Sequence, residues 1–182
     1  MRFLSNSITS GSDQQVSAIR KNAPQEDAVQ AIALRTAGGL EFTLAVIADG
    51  EGGPNARAAA DLAVRTVVET VRRSTGNLVP PILQRAVEAA NTALLSSKSG
   101  ASTSSGATVA LTVAAIYRSR LYLAHAGHTS AYLLQGGKPT RLTGMSASAS
   151  GGAPPALGSA HPRPKPGGGG MVEGWIAADG IP

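Results

Sequence analysis

Apolar and polar positions along this chain follow two different periods, and each change of period marks an element. Ala28–Leu34 (AVQAIAL) and Glu41–Ala48 (EFTLAVIA) are short, strand-like apolar runs separated by Ala37-Gly38-Gly39. Two such runs joined by a Gly-containing connection predict a β-hairpin. A shorter run, Val16–Ile19, precedes them as a further strand candidate, and residues 1–15 are polar. After Pro54, which suits a first helical position, the period lengthens. Ala58, Leu62, Ala63, Val67 and Val71 recur at helical spacing, with Arg57, Asp61, Arg65, Glu69 and Arg72 among them. Gly76-Asn77 stops this helix, and Pro80-Pro81 opens a second one carrying Ile82, Leu83, Ala86, Val87, Ala90 and Leu94. Two successive amphipathic helices predict an antiparallel pair covering one face of a sheet.

Strand-like patterning returns at Ala107–Tyr117, Leu121–Ala126 and Ser130–Leu134, with turns at Arg118–Arg120 and Gly127–Thr129. These three runs predict an antiparallel meander. Lys98–Ser105 is a low-complexity loop, and residues 144–170 are rich in Gly, Pro, Ser and Ala. The latter segment has too little apolar content to fold alone and reads as a flexible excursion. Met171–Ala178 is strand-like again and runs into Asp179-Gly180. The expected organisation is one α+β domain: a core over residues 1–143, the flexible segment 144–170, and a terminal strand of the same domain over 171–182.

Composition narrows this picture. The 182 residues are 42% hydrophobic but only 3% aromatic, so the core must be built from Ala, Val, Leu and Ile. The formal net charge of +5 admits an anionic partner. The Arg and Lys residues are scattered, however, and neither a zinc-finger spacing nor an RNA-binding aromatic signature occurs, which argues against nucleic acid. There is no Cys, hence no disulfide or thiolate metal site. No apolar run approaches the ~20 residues of a membrane span. These features read as a soluble, cytoplasmic protein with no membrane partner.

Three acidic sites stand at the ends of expected strands: Glu26-Asp27, Asp49 and Asp179. On the β-hairpin, Asp27 begins one strand and Asp49 ends its neighbour, so an antiparallel pairing brings them to one end. Carboxylates are ligands for hard cations such as Mg2+ or Mn2+. The Gly after Asp49 and after Asp179 lets the backbone approach an ion, although Asp-Gly is also an ordinary turn signal.

The stretches QEDAV (25–29), VIADGEGG (46–53), SGATVAL (105–111), LAHAGHTSAYLL (123–134) and RLT (141–143) occur in an order and spacing that resembles the metal-dependent protein phosphatases of type 2C. WIAADGI (175–181) resembles a later element of that family more weakly. The resemblance implies an antiparallel β-sandwich flanked by helix pairs, incomplete at the C-terminus. It implies hydrolysis of phosphoserine and phosphothreonine in a phosphorylated protein substrate, by water held between two Mn2+ or Mg2+ ions. On the matching positions, Asp27 and Asp49 are implied as the catalytic metal ligands, with Asp49 bridging both ions. The Gly50 carbonyl, Glu26 and Asp179 are implied as further metal ligands, and Arg20, or else Lys21, as the group that binds substrate phosphate.

Several positions depart from the family pattern. His128 stands where the family has Asp, and Ser130 where it has Arg. His128 is open to three readings: a metal ligand, a general acid, or a plain turn residue. His125 is expected to pack or to face a sheet surface. The family's final Asp-Asn element has no counterpart here. The alternative function is therefore a catalytically impaired, phosphatase-like binding or regulatory module.

Overall fold

The computed structural model describes residues 26–98, 107–135, 137–143 and 176–179. Its central feature is the expected hairpin. Strand β1 (Ala28–Arg35) pairs antiparallel with β2 (Glu41–Glu51) in a register that sets Ala28 opposite Ala48 and Arg35 opposite Glu41. The connection turns at Gly39, whose φ of 86° lies in the left-handed region that favours Gly. Thr36 closes the turn by accepting the Leu40 N–H on its side-chain oxygen.

Helix α1 (Ala56–Arg73) and helix α2 (Val79–Lys98) follow and pack on each other against one face of the sheet. Strands β3 (Thr108–Tyr117) and β4 (Arg120–Ala126) extend that sheet beyond β2, and β7 (Ile176–Asp179) takes the free edge of β4. The sheet order is β1-β2-β3-β4-β7, with antiparallel pairing throughout. Strands β5 (Tyr132–Gln135) and β6 (Lys138–Arg141) form a separate two-stranded sheet. The fold is α+β, with antiparallel sheets and a helix pair, as the sequence pattern predicts.

Strand alternation decides what lies under the helices. Phe42, Leu44, Val46 and Ala48 of β2 point one way with Val109, Leu111, Val113 and Ala115 of β3. They meet Ala60, Ala63, Val64, Val67 and Val71 of α1, and Ile82, Leu83, Ala86, Val87, Ala90 and Leu94 of α2. Small residues on α1 let its axis lie close to the sheet, and apolar burial drives the assembly at about 25 cal/mol per Å2. The other face of β2 carries Thr43, Ala45, Ile47, Asp49 and Glu51, and Ile47 is 47% exposed.

Three details differ from the sequence expectation. Strand β2 runs on through Asp49 and Gly50 to Glu51 instead of ending at Ala48. The buried stripe of α1 keeps the expected Ala63, Val67 and Val71 but differs in its N-terminal half, where Ala56, Ala60 and Val64 are inside while Ala58 is exposed and Leu62 is half-buried. In its first turns Ala56, Ala58, Ala59 and Ala60 lie on both faces, and the sheet chooses which of them it covers. Finally, β5 does not continue the meander next to β4. Gly127, with φ of 88°, turns the chain away after Ala126, and β5 pairs with β6 instead. The edge of β4 is then taken by β7.

Candidate metal centre

Because β2 extends to Glu51, Asp49 and Glu51 lie two residues apart on one strand and project from the same face. This is the face away from the helices. Across it, beyond the end of β4, comes the turn that carries His128. The His128 Nε2 lies 3.1 Å from the Glu51 Oε1 and 3.4 Å from the Asp49 Oδ2. The ligand atoms of the three side chains all lie within 4.8 Å of one another. All three are partly exposed (side-chain exposures of 38%, 50% and 43% for Asp49, Glu51 and His128), so the group sits at an open rim.

The β1–β2 register carries Asp27 to the same end. Ala28 is opposite Ala48, so Asp27 stands one step beyond the last pair, beside Asp49. Helix α1 ties the two segments together. The Arg57 guanidinium donates through Nη1 to the Asp27 carbonyl, and its Nε bonds the Asp61 Oδ2 at 2.9 Å. Gly50 is wedged between them. A Cβ there would meet the Ala56 carbonyl oxygen at 2.3 Å and the Glu26 carbonyl oxygen at 2.8 Å. The Gly of this Asp-Gly pair is thus required by close backbone approach inside a continuing strand, where the sequence suggested a turn or the approach of an ion.

The turn bearing His128 is held from below. His125 and Thr112 are opposite each other on β4 and β3, and both are buried. The Thr112 hydroxyl lies 3.1 Å from the His125 Nδ1 and 2.6 Å from the Thr129 hydroxyl, which is itself 3.3 Å from the same His125 nitrogen. His125 therefore packs, as expected, and its network anchors the residue that follows His128. At the other end of the loop, the Ala131 N–H donates to the Thr143 hydroxyl and the Leu142 N–H to the Ala131 carbonyl.

The sequence-derived site residues divide accordingly. Asp27, Glu26, Asp49 and Gly50 come to one end of the β1–β2 pair. Asp179 does not. Its backbone pairs with Arg120, at the start of β4, whereas the rim lies beyond Ala126 at the other end. Six strand positions separate the two, about 20 Å. A four-residue strand has no register signal of its own, and only its partner strand decides which end its terminal Asp reaches. Arg20 and Lys21 lie outside the described residues, as does the 144–170 segment. Sequence reasoning missed Glu51. The signal was available in the two-residue spacing from Asp49, but it required the strand to be carried through Gly50.

The fold, a sheet of this order under an α-helical pair, is that of the type 2C metal-dependent Ser/Thr protein phosphatases. The S. agalactiae serine/threonine phosphatase superposes with a TM-score of 0.62 at 16% identity, over 79% of this chain and 66% of that one. Stp1 from Staphylococcus aureus gives 0.57 at 16% identity, over 78% and 52%. The catalytic domain of the phosphatase PstP, in complex with 2 manganese ions, gives 0.51 at 25% identity, over 64% and 54%. The chain thus spans between about half and two thirds of the length of these phosphatases. No family model matches the sequence, and no curated protein matches it. Among the described residues, no helix is long and apolar enough to cross a membrane.

Proposed function

We propose that this chain is a metal-dependent phosphomonoesterase of the Ser/Thr protein phosphatase type, acting on a phosphorylated protein at the rim formed by Asp27, Asp49 and Glu51. The observation that carries the reading is the convergence of the Asp27 and Asp49 strand ends, clamped by α1, within the fold shared with those phosphatases. The Asp49 and Glu51 carboxylate oxygens are partly exposed, leave an open side for water and fit a divalent ion of the Mn2+ or Mg2+ kind. When bound, such an ion lowers the pKa of a water molecule and offsets the charge of a phosphate. Asp49 and Glu51 would hold the cation from one strand face, with Asp27 at the adjoining end of the neighbouring strand. Arg57 fixes the Asp27 backbone, and Gly50 lets α1 lie close enough to do so. The open rim admits a phosphorylated side chain from solvent.

A second reading, a phosphatase-like binding module without turnover, is favoured by one observation. Asp179 lies at the far end of β4, which leaves the rim a carboxylate short of the set the family resemblance implies. Hydrolysis of p-nitrophenyl phosphate and of a phosphothreonine peptide, with Mn2+ and after chelation, separates the two. The enzyme reading expects Mn2+-dependent turnover that falls at least about a hundredfold in Asp49→Asn, in line with the loss of one essential electrostatic group. Mn2+ binding by calorimetry without any turnover would leave the binding module standing and the enzyme refuted.

A further inference from the structure

We propose that Asp49, Glu51 and His128 form a mixed nitrogen–oxygen site that selects a first-row transition ion, such as Zn2+, Ni2+ or Co2+, over Mg2+. The inference shares Asp49 and Glu51 with the proposed function and rests on that reading only in taking these two carboxylates as ligands.

The distances suit a common coordination sphere. Two donors each about 2.1 Å from one ion are about 3.0 Å apart at an octahedral right angle and about 3.4 Å apart at a tetrahedral angle. The His128 Nε2 is 3.1 Å from one carboxylate oxygen and 3.4 Å from the other. An ion can thus sit against all three atoms with only small side-chain rotations, and the partial exposure of each leaves water in the remaining positions.

Donor type sets the preference. Mg2+ is a hard cation that favours oxygen, retains its waters and gains little from imidazole. Imidazole suits Zn2+, Ni2+, Cu2+ and Fe2+, whose affinities for such sites rise along the Irving–Williams order. It is the nitrogen between two carboxylates that separates this group from an ordinary acidic rim. Two carboxylates also match the charge of a divalent ion when His128 is neutral.

Each ligand stands on a support that does not depend on an ion. Asp49 and Glu51 are fixed by the β2 pleat and by pairing with Ala110 and Thr108 of β3. His128 follows Gly127, whose φ of 88° sets the turn, and precedes Thr129, which is tied to the buried Thr112 and His125. Ligands held this way lose little freedom when an ion arrives, and the supporting contacts of metal ligands are typically worth 10–100-fold in affinity.

The test is calorimetric titration of the full chain with Mg2+, Mn2+, Ni2+ and Zn2+, repeated for His128→Asp and Glu51→Gln. All three positions are partly exposed, and far-UV circular dichroism checks that each variant is folded. The expected result is Ni2+ and Zn2+ binding that weakens at least about tenfold in His128→Asp while Mg2+ binding is unchanged or tightens. Glu51→Gln is expected to weaken every ion. In the 15N-labelled protein, Zn2+ should shift the ring nitrogens of His128 and leave those of His125 in place. If His128→Asp keeps the wild-type order of affinities, or if Zn2+ shifts the ring nitrogens of His161, the third histidine of the sequence, instead of those of His128, the proposal fails. Phosphatase turnover does not enter this readout. Metal selectivity without turnover would refute the enzyme and leave this site, and turnover with selectivity independent of His128 would do the reverse.

Discussion

Replacing Gly50 by Ala tests how the rim is built. The added Cβ would meet three backbone atoms: the Ala56 oxygen at 2.3 Å, the Ala56 carbon at 2.7 Å and the Glu26 oxygen at 2.8 Å. None is the end of a flexible side chain, so either α1 or the Glu26–Asp27 segment has to move. Overpacking of this kind costs about 1–3 kcal/mol, and contact with backbone on two sides places Gly50→Ala near the upper end. For a chain of this size, 1 kcal/mol corresponds to about 2–4 °C in Tm, so the expected loss is roughly 6–12 °C. The same displacement spreads Asp27 from Asp49 and turns Asp49 and Glu51, so Mn2+ binding should weaken as well. Gly38→Ala is the control. Its Cβ would meet the Thr75 oxygen at 2.6 Å, at the opposite end of the sheet, where the hairpin turn rests on the end of α1. It should lower Tm comparably and leave Mn2+ binding intact. Thermal denaturation followed by circular dichroism and Mn2+ titration by calorimetry measure both effects. A Gly50→Ala protein that melts within about 2 °C of wild type would refute the wedge. So would a Gly38→Ala protein that loses Mn2+ binding just as strongly.

Thr112→Val removes the hydroxyl shared by His125 and Thr129. It should destabilise the fold by about 1–3 kcal/mol in urea denaturation, the range for a buried polar group losing its partner. Leu44→Ala empties a fully buried position between the sheet and the helices. It should cost about 2–5 kcal/mol, read as a lower urea midpoint with an unchanged slope. Glu41→Gln breaks the ion pair with Arg35, in which both side chains are about 70% exposed. Tm should change by less than about 2 °C, and a larger fall would show that this pair is not screened like other surface pairs.

The elements themselves were legible because period and punctuation are local. Alternating apolar runs flanking Gly38-Gly39 specify a hairpin wherever they occur, and the α2 stripe from Ile82 to Leu94 is buried as its spacing predicts. In α1 the pattern found Ala63, Val67 and Val71 but not Ala56 and Ala60, because in its first turns Ala lies on both faces of the helix. The meander failed at Gly127 because a turn between strands does not announce whether the next strand returns to the same sheet. The site followed the same division. Asp27 and Asp49 were linked by hairpin register alone, a relation between neighbours in sequence. Glu51 was missed through a strand boundary set three residues short.

The sequence by itself determined the hairpin that aligns Asp27 with Asp49, the helix pair and the small-residue core, since each follows from side-chain periodicity over a few turns or strand residues. Only the tertiary structure decided that His128 closes over Asp49 and Glu51, that Gly50 is a contact glycine, and that Asp179 stands at the distant end of β4. Those three depend on register and approach between segments far apart along the chain. Such distances are fixed by how the sheet and helices pack together, and no local pattern of residues encodes them.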